Sequence, residues 1–156
     1  MKRINLRDLI KPKRIELENA SRDDRYGKFV AEPLERGYGM TIGTAIRRIL
    51  LSSLQGSAVT SIRIEGVMHE FSTIPGVVED VTEIVLNMKE VVPHLEDKEE
   101  AHLRIEALGP CDVKAGMLSG DPSVSILNPD HHIATLAEGC SLHMEVTVRT
   151  GRGYVI

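Results

Sequence analysis

The 156-residue chain is 42% hydrophobic but only 3% aromatic and has no Trp, so Leu, Ile and Val must supply nearly all of a core of one-domain size. Its 19 Lys and Arg against 23 Asp and Glu leave a formal net charge of −4, which argues against a surface that grips nucleic acid throughout, because neutralising phosphates needs a basic excess or a segregated basic patch. No run of 18 apolar residues occurs, which excludes a helical membrane span.

The chain opens on a basic run, Lys2, Arg3, Arg7, Lys11, Lys13 and Arg14, broken by Asp8, Pro12 and Glu16, with no apolar stretch behind it to act as a signal-peptide core. Ile15 and Leu17 alternate with Arg14, Glu16 and Glu18, a strand pattern. Asp23, Asp24 and Gly27 mark a turn, and a second extended run from Lys28 to Glu32 completes an expected hairpin that Pro33 closes. Gly37 and Gly39 read as a flexible approach to a helix. Thr41 is its expected N-cap, and Ile42, Ala45, Ile46, Ile49 and Leu50 recur at helical spacing as a core-facing stripe; the helix is expected to run to about Leu54, with Gly56 as its stop.

Ile62 and Ile64 alternate with Arg63 and Glu65, followed by a turn at Gly66 and an expected strand through Phe71. A second helix is expected from about Val77 to Val92, its apolar face made of Val78, Val81, Ile84, Val85, Met88 and Val92. Glu79, Asp80 and Glu83 lie early and Lys89 late, as the helix dipole favours, and Pro93 ends it. The remainder alternates like strands at Leu103 and Ile105 and again from Leu142 to Val148, with turns at Gly109-Pro110, Asp121-Pro122, Asn128-Pro129 and Glu138-Gly139. Glu96 to Glu100 reads as a charged loop. Two helices among many strands, without a strand-helix-strand repeat, predict an α+β fold with a boundary near Gly56.

No local motif supplies catalytic chemistry of the G-x-S-x-G or H-E-x-x-H kind. Gly37-x-Gly39-x-x-x-Gly43 is the one phosphate-loop candidate, and its spacing is a residue off the dinucleotide fingerprint. Cys140-x-x-His143 is the nearest approach to metal-ligand spacing, but residues three apart on a strand face opposite ways; adjacent His131 and His132 have the same problem. No metal and no cofactor is therefore expected. Cys111 and Cys140, without a C-x-x-C pair or a secretory signal, read as reduced thiols of a cytoplasmic protein.

Helical arithmetic isolates two apolar residues on polar faces. At about 100° per residue Leu51 lies opposite Ile42, beside Arg47 and Arg48, the make-up of a protein-binding hot spot. Leu86 in the second helix likewise falls near Thr82 and Lys89.

The stretch from Glu32 through Gly37-Tyr-Gly-Met-Thr-Ile-Gly-Thr-Ala-Ile-Arg-Arg-Ile-Leu-Leu-Ser-Ser53 closely resembles the first helix region of the bacterial RNA polymerase alpha subunit. The likeness continues at His69-Glu-Phe-Ser-Thr-Ile-Pro-Gly-Val-Val-Glu-Asp80, Asn87-Met-Lys89 and Gly151-Arg-Gly-Tyr-Val155. It implies a non-catalytic assembly domain. Residues 1–56 would be the first portion of a dimerisation part and residues 57–156 an inserted strand-rich part with one further helix. It implies a second alpha subunit as partner, through Tyr38, Ile42, Ile46, Ile49 and Leu50. It also implies docking of the beta subunit at Arg48 and Leu51, with Arg47 beside them, and of beta-prime at Lys89 with Leu86. The returning dimerisation segment and the C-terminal DNA-binding domain of that family are absent from these 156 residues, so contact with DNA is expected only through the assembled complex.

Overall fold

The computed structural model describes residues 9–18 and 26–154; the turn expected at Asp23 and Asp24 and the start of the basic run lie outside them. The protein is α+β, and the chain divides into two compact units between Ser53 and Leu54.

The first unit holds β1 (Ile15–Leu17) and β2 (Phe29–Ala31), paired antiparallel with Glu16 opposite Val30, and helix α1 (Tyr38–Ser52). Helix α1 starts three residues before the expected N-cap. Gly37 is the N-cap, at φ 86°, a left-handed conformation that costs glycine nothing, and Thr41, Gly39 and Gly43 all lie within the helix. At the other end Ser53 closes the helix through its N–H to the Ile49 carbonyl, 2.9 Å away. Gly56, expected as the stop, belongs to the next strand.

The second unit contains β3 (Gln55–Ile64), α2 (Val81–Glu90), β4 (Pro93–Leu95), β5 (Glu100–Leu108), β6 (Cys111–Lys114), a 3-10 turn (Ala115–Met117), β7 (Ser119–Gly120), β8 (Val124–Ile126), β9 (His132–Leu136) and β10 (Ser141–Arg152). Its main sheet is antiparallel in the order β3-β10-β5-β7, and β4-β8 and β6-β9 form separate two-stranded ribbons. Strand β10 is central: Met144 stands opposite both Ile64 and Ile105, and Val146 opposite both Ile62 and Leu103. Alternation fixes this register, because a one-residue slip would turn Leu142, Met144, Val146 and Val148 out to solvent. The pairing of β3 skips Thr60, a bulge whose hydroxyl donates to the Thr147 carbonyl at 3.3 Å.

Helix α2 lies over the buried face of that sheet through Val81, Ile84 and Met88, and Val113, Ile133, Ala134 and Leu136 of the β6-β9 ribbon join the same core. Each fully buried side chain of this size contributes roughly 1.5–3 kcal/mol by leaving water. The helix is shorter than the apolar pattern suggested. Asp80 and Glu83 form a reciprocal capping box, Asp80 accepting from the Glu83 N–H at 2.7 Å and Glu83 from the Asp80 N–H at 3.2 Å, and this fixes the start at Val81. Val78 and Val92 therefore fall outside the helix, and both are exposed. Pro93 begins β4 after the helix has closed at Val91. No strand runs through Phe71; after the turn at Gly66 the chain is irregular, with Met68 and Phe71 in solvent.

Gly109 is among the glycines set by close approach. A Cβ on Gly109 would sit 1.8 Å from the Ala137 carbonyl oxygen, whereas one on Gly56 would meet nothing within 4 Å. Gly109→Ala is expected to cost about 3 kcal/mol, the upper part of the overpacking range, and Gly56→Ala to be neutral or slightly stabilising. Urea melts of the two variants check this; equal midpoints would mean that the approach of the β5-β6 turn to Ala137 is wrong.

Candidate docking faces on the two helices

Helix α1 combines an amphipathic sequence with complete exposure: none of its residues is buried. The stripe of Ile42, Ala45, Ile46, Ile49 and Leu50, expected to face a core, faces none among the described residues, and Tyr38 at the helix start is exposed too; even Ile42, the least exposed of its isoleucines and leucine, keeps 36% of its surface. Leu51 on the other side is 66% exposed, one turn after exposed Arg47 and Arg48. The helix thus presents apolar side chains on opposite faces, and both remain in water.

Helix α2 presents one buried and one open face. Val81, Ile84 and Met88 point into the core, which leaves Leu86, 55% exposed, and Lys89 turned outward. Lys89 also borders a small cleft of about 160 Å³, lined by Val59, Thr60, Ser61 and Ile62 of β3 and by Val85 and Met88 of α2. Sequence reasoning missed this cleft, because it depends on the Thr60 bulge and on which edge of the sheet α2 crosses. The only local sign of it was Thr60, a polar residue between Val59 and the Ile62/Ile64 alternation.

The other candidates separate. Gly37 to Gly43 is not a loop, since Gly39 and Gly43 are helical, so no glycine-rich cradle forms there. Cys140 donates its thiol to the Pro75 carbonyl at 3.1 Å, while His143 lies exposed on β10. His131 Nε2 lies 3.0 Å from the Asn87 carbonyl oxygen, and His132 contacts two carboxylates instead of sharing an ion with His131. Among the described residues no group of three or more His, Cys, Asp or Glu side chains is placed to hold a metal ion, and no helix is long and apolar enough to cross a membrane.

The family profile described as the RNA polymerase Rpb3/RpoA insert domain matches residues 62–156, well over half of the chain and most of its second unit. The chain belongs to that family. Among its relatives, the DNA-directed RNA polymerase subunit alpha of Carboxydothermus hydrogenoformans is 60% identical over 148 residues, covering 95% of this chain and 46% of its own. The subunit alpha of Leuconostoc mesenteroides is 59% identical over 138 residues, 88% of this chain and 44% of its own. That of Geobacter metallireducens is 54% identical over 151 residues, 97% and 44%. This member of the insert-domain family thus spans less than half the length of these relatives.

The two faces of α2 differ in what substitution should do. Leu86→Ala and Lys89→Ala should change stability by no more than about 0.5 kcal/mol. Ile84→Ala and Met88→Ala should each cost about 2–5 kcal/mol. Thermal melts decide it, and a Leu86→Ala loss as large as that of Ile84→Ala would mean that the helix is rotated from the orientation described.

Proposed function

We propose that the chain is an assembly scaffold of DNA-directed RNA polymerase, without a catalytic centre of its own, acting in transcription in the cytoplasm. It pairs with a second alpha subunit through Tyr38, Ile42, Ile46, Ile49 and Leu50. The opposite face of α1, with Arg47, Arg48 and Leu51, docks the beta subunit, and Leu86 with Lys89 docks beta-prime. Residues 1–56 serve dimerisation, and residues 57–156 form the insert.

The observation that carries this reading is α1 itself. A 15-residue helix with apolar side chains on two faces and none buried is a costly surface for an isolated protein, and protein partners are the means of covering it. A leucine one turn on from two arginines suits a hot spot, because the leucine can fill a pocket while the planar cations contact polar groups at its rim. Relatives named as alpha subunits of the polymerase support the choice of partners.

Leu51→Asp and Arg48→Ala should weaken capture of beta by about thirtyfold, or ~2 kcal/mol, with melting unchanged. Ile46→Asp should instead weaken self-association, and because Ile46 is half exposed the chain itself should still melt normally. Pull-down of purified beta, sedimentation equilibrium and circular dichroism on each variant measure these. Full-strength beta binding by Leu51→Asp would sink the assignment of that face, and a nucleotide-dependent rise in melting temperature would favour a ligand-binding protein instead.

A further inference from the structure

His132, at the start of β9, is held from both sides of its ring. Nδ1 lies 2.6 Å from Asp112 Oδ1 on β6, and Nε2 lies 2.9 Å from Glu79 Oε1 in the segment that enters α2. Glu79 is anchored further: its other oxygen accepts the Thr135 N–H at 2.6 Å, and the Thr135 hydroxyl donates to Oε1 at 3.0 Å. The Glu79 side chain is only 14% exposed, so it is fixed by these donors and not free to swing away.

Hydrogen-bond chemistry restricts the ring. A neutral imidazole has one N–H and one lone pair, so it can donate to only one carboxylate; the other nitrogen would turn its lone pair on a carboxylate oxygen. Only the imidazolium donates to both. We propose that Glu79, His132 and Asp112 form a protonation-dependent clasp that fastens the segment entering α2 to the β6-β9 ribbon and loosens when the imidazole loses its proton.

The neighbouring charges fit this. On β6, Lys114 stands opposite His132 in register, but its ammonium lies 4.0 Å from Asp130, the acidic residue just before the two histidines. On the segment entering α2, Asp80 is turned to the Glu83 N–H and Glu83 to the Asp80 N–H, so both are occupied by the capping box. His131 is engaged with the Asn87 carbonyl. Glu79 and Asp112 are thus the charges in contact with the ring. Contact with Glu79, and then with Asp112, raises the imidazole above its ordinary value, partial burial opposing them. Burial pushes the Glu79 carboxyl up, but the Thr135 N–H, the His132 ring and the Thr135 hydroxyl together outweigh it and hold Glu79 below the usual carboxylate range.

The signs set the pH window. A raised histidine contributes stability that is fully present below its unfolded value of about 6.5 and is lost as pH rises through the higher folded value. The lowered Glu79 acts at the other end: its contribution is present above the ordinary carboxylate range and is lost as pH falls through the folded value. The clasp is therefore closed below the imidazole's ordinary value and loosens as pH rises through the higher folded one.

The test is nitrogen-15 NMR of the His132 ring in the full chain as a function of pH, with thermal melts of the wild type, His132→Gln and Asp112→Asn. Both ring nitrogens should carry protons at pH 6.5, with a midpoint above that value which Asp112→Asn lowers. The wild type should lose about 2 °C or more of melting temperature as pH rises through the midpoint, and His132→Gln should lack that step. A ring with one N–H at pH 6, or a His132→Gln melting profile parallel to the wild type, overturns the proposal. If His132→Gln does not fold, the ring titrations of the wild type and Asp112→Asn decide.

Discussion

The second unit depends on the burial of one face of β10. This strand has a partner on each side, so its inward side chains Leu142, Met144, Val146 and Val148 receive Ala101, Leu103, Ile105 and Ala107 from β5, and Ile64 and the partly buried Ile62 from β3. With almost no aromatic side chains available, the core is assembled from small and branched aliphatics that interdigitate. The cover is α2 together with the β6-β9 ribbon, and this requirement orients the rest of the unit. Ile84 and Met88 must face the sheet, so Leu86 and Lys89 must face out.

The same burial explains how an amphipathic stripe can have two different fates in one chain. Helix α2 carries its apolar side chains to a sheet within its own unit and is held at its N-terminus by a reciprocal cap. Helix α1 has an equally regular stripe, yet among the described residues its unit offers a short two-stranded ribbon and nothing that buries a helical residue. An isolated helix of this length is marginal in water, since helical stability comes mostly from packing of the apolar face. Its stripe is therefore left uncovered among the described residues, whereas that of α2 is covered within its own unit.

Polar groups near the core of the second unit are placed where secondary structure leaves donors or acceptors to satisfy. Asn128 accepts the Val92 N–H and donates to the Glu90 carbonyl, closing the end of α2. Glu79 takes the Thr135 N–H. Lys98 and Asp121 join the two loops beside β5, with Asp121 also accepting from Ser123; these donors, Lys98 foremost, hold Asp121 well below the ordinary carboxylate range. His132 belongs to this group, bridging carboxylates from two elements that are far apart in the chain.

Much of this was legible in the residues. Period-two alternation over 101–107 and 142–148 dictated strands with one apolar face, because side chains alternate sides on any extended backbone, and the 3.6-residue recurrence from Ile42 to Leu50 dictated a helix in the same way. Leu86 could be assigned to an outward face by angle alone, and Leu51 to the side of α1 opposite Ile42. Local patterns could not set the ends of elements: Val78 and Val92 continue the apolar rhythm of α2, but the Asp80-Glu83 box and the closure at Val91 decide where its hydrogen bonds begin and stop. Nor could they say whether a stripe is covered, since amphipathicity records a demand for burial and not its supply; the exposure of Ile46 and the burial of Ile84 follow from what lies opposite each. The Glu79-His132-Asp112 contacts and the Thr60 cleft were beyond reach for the same reason. They join residues separated by tens of positions, and only the strand order and register of the folded chain bring them together.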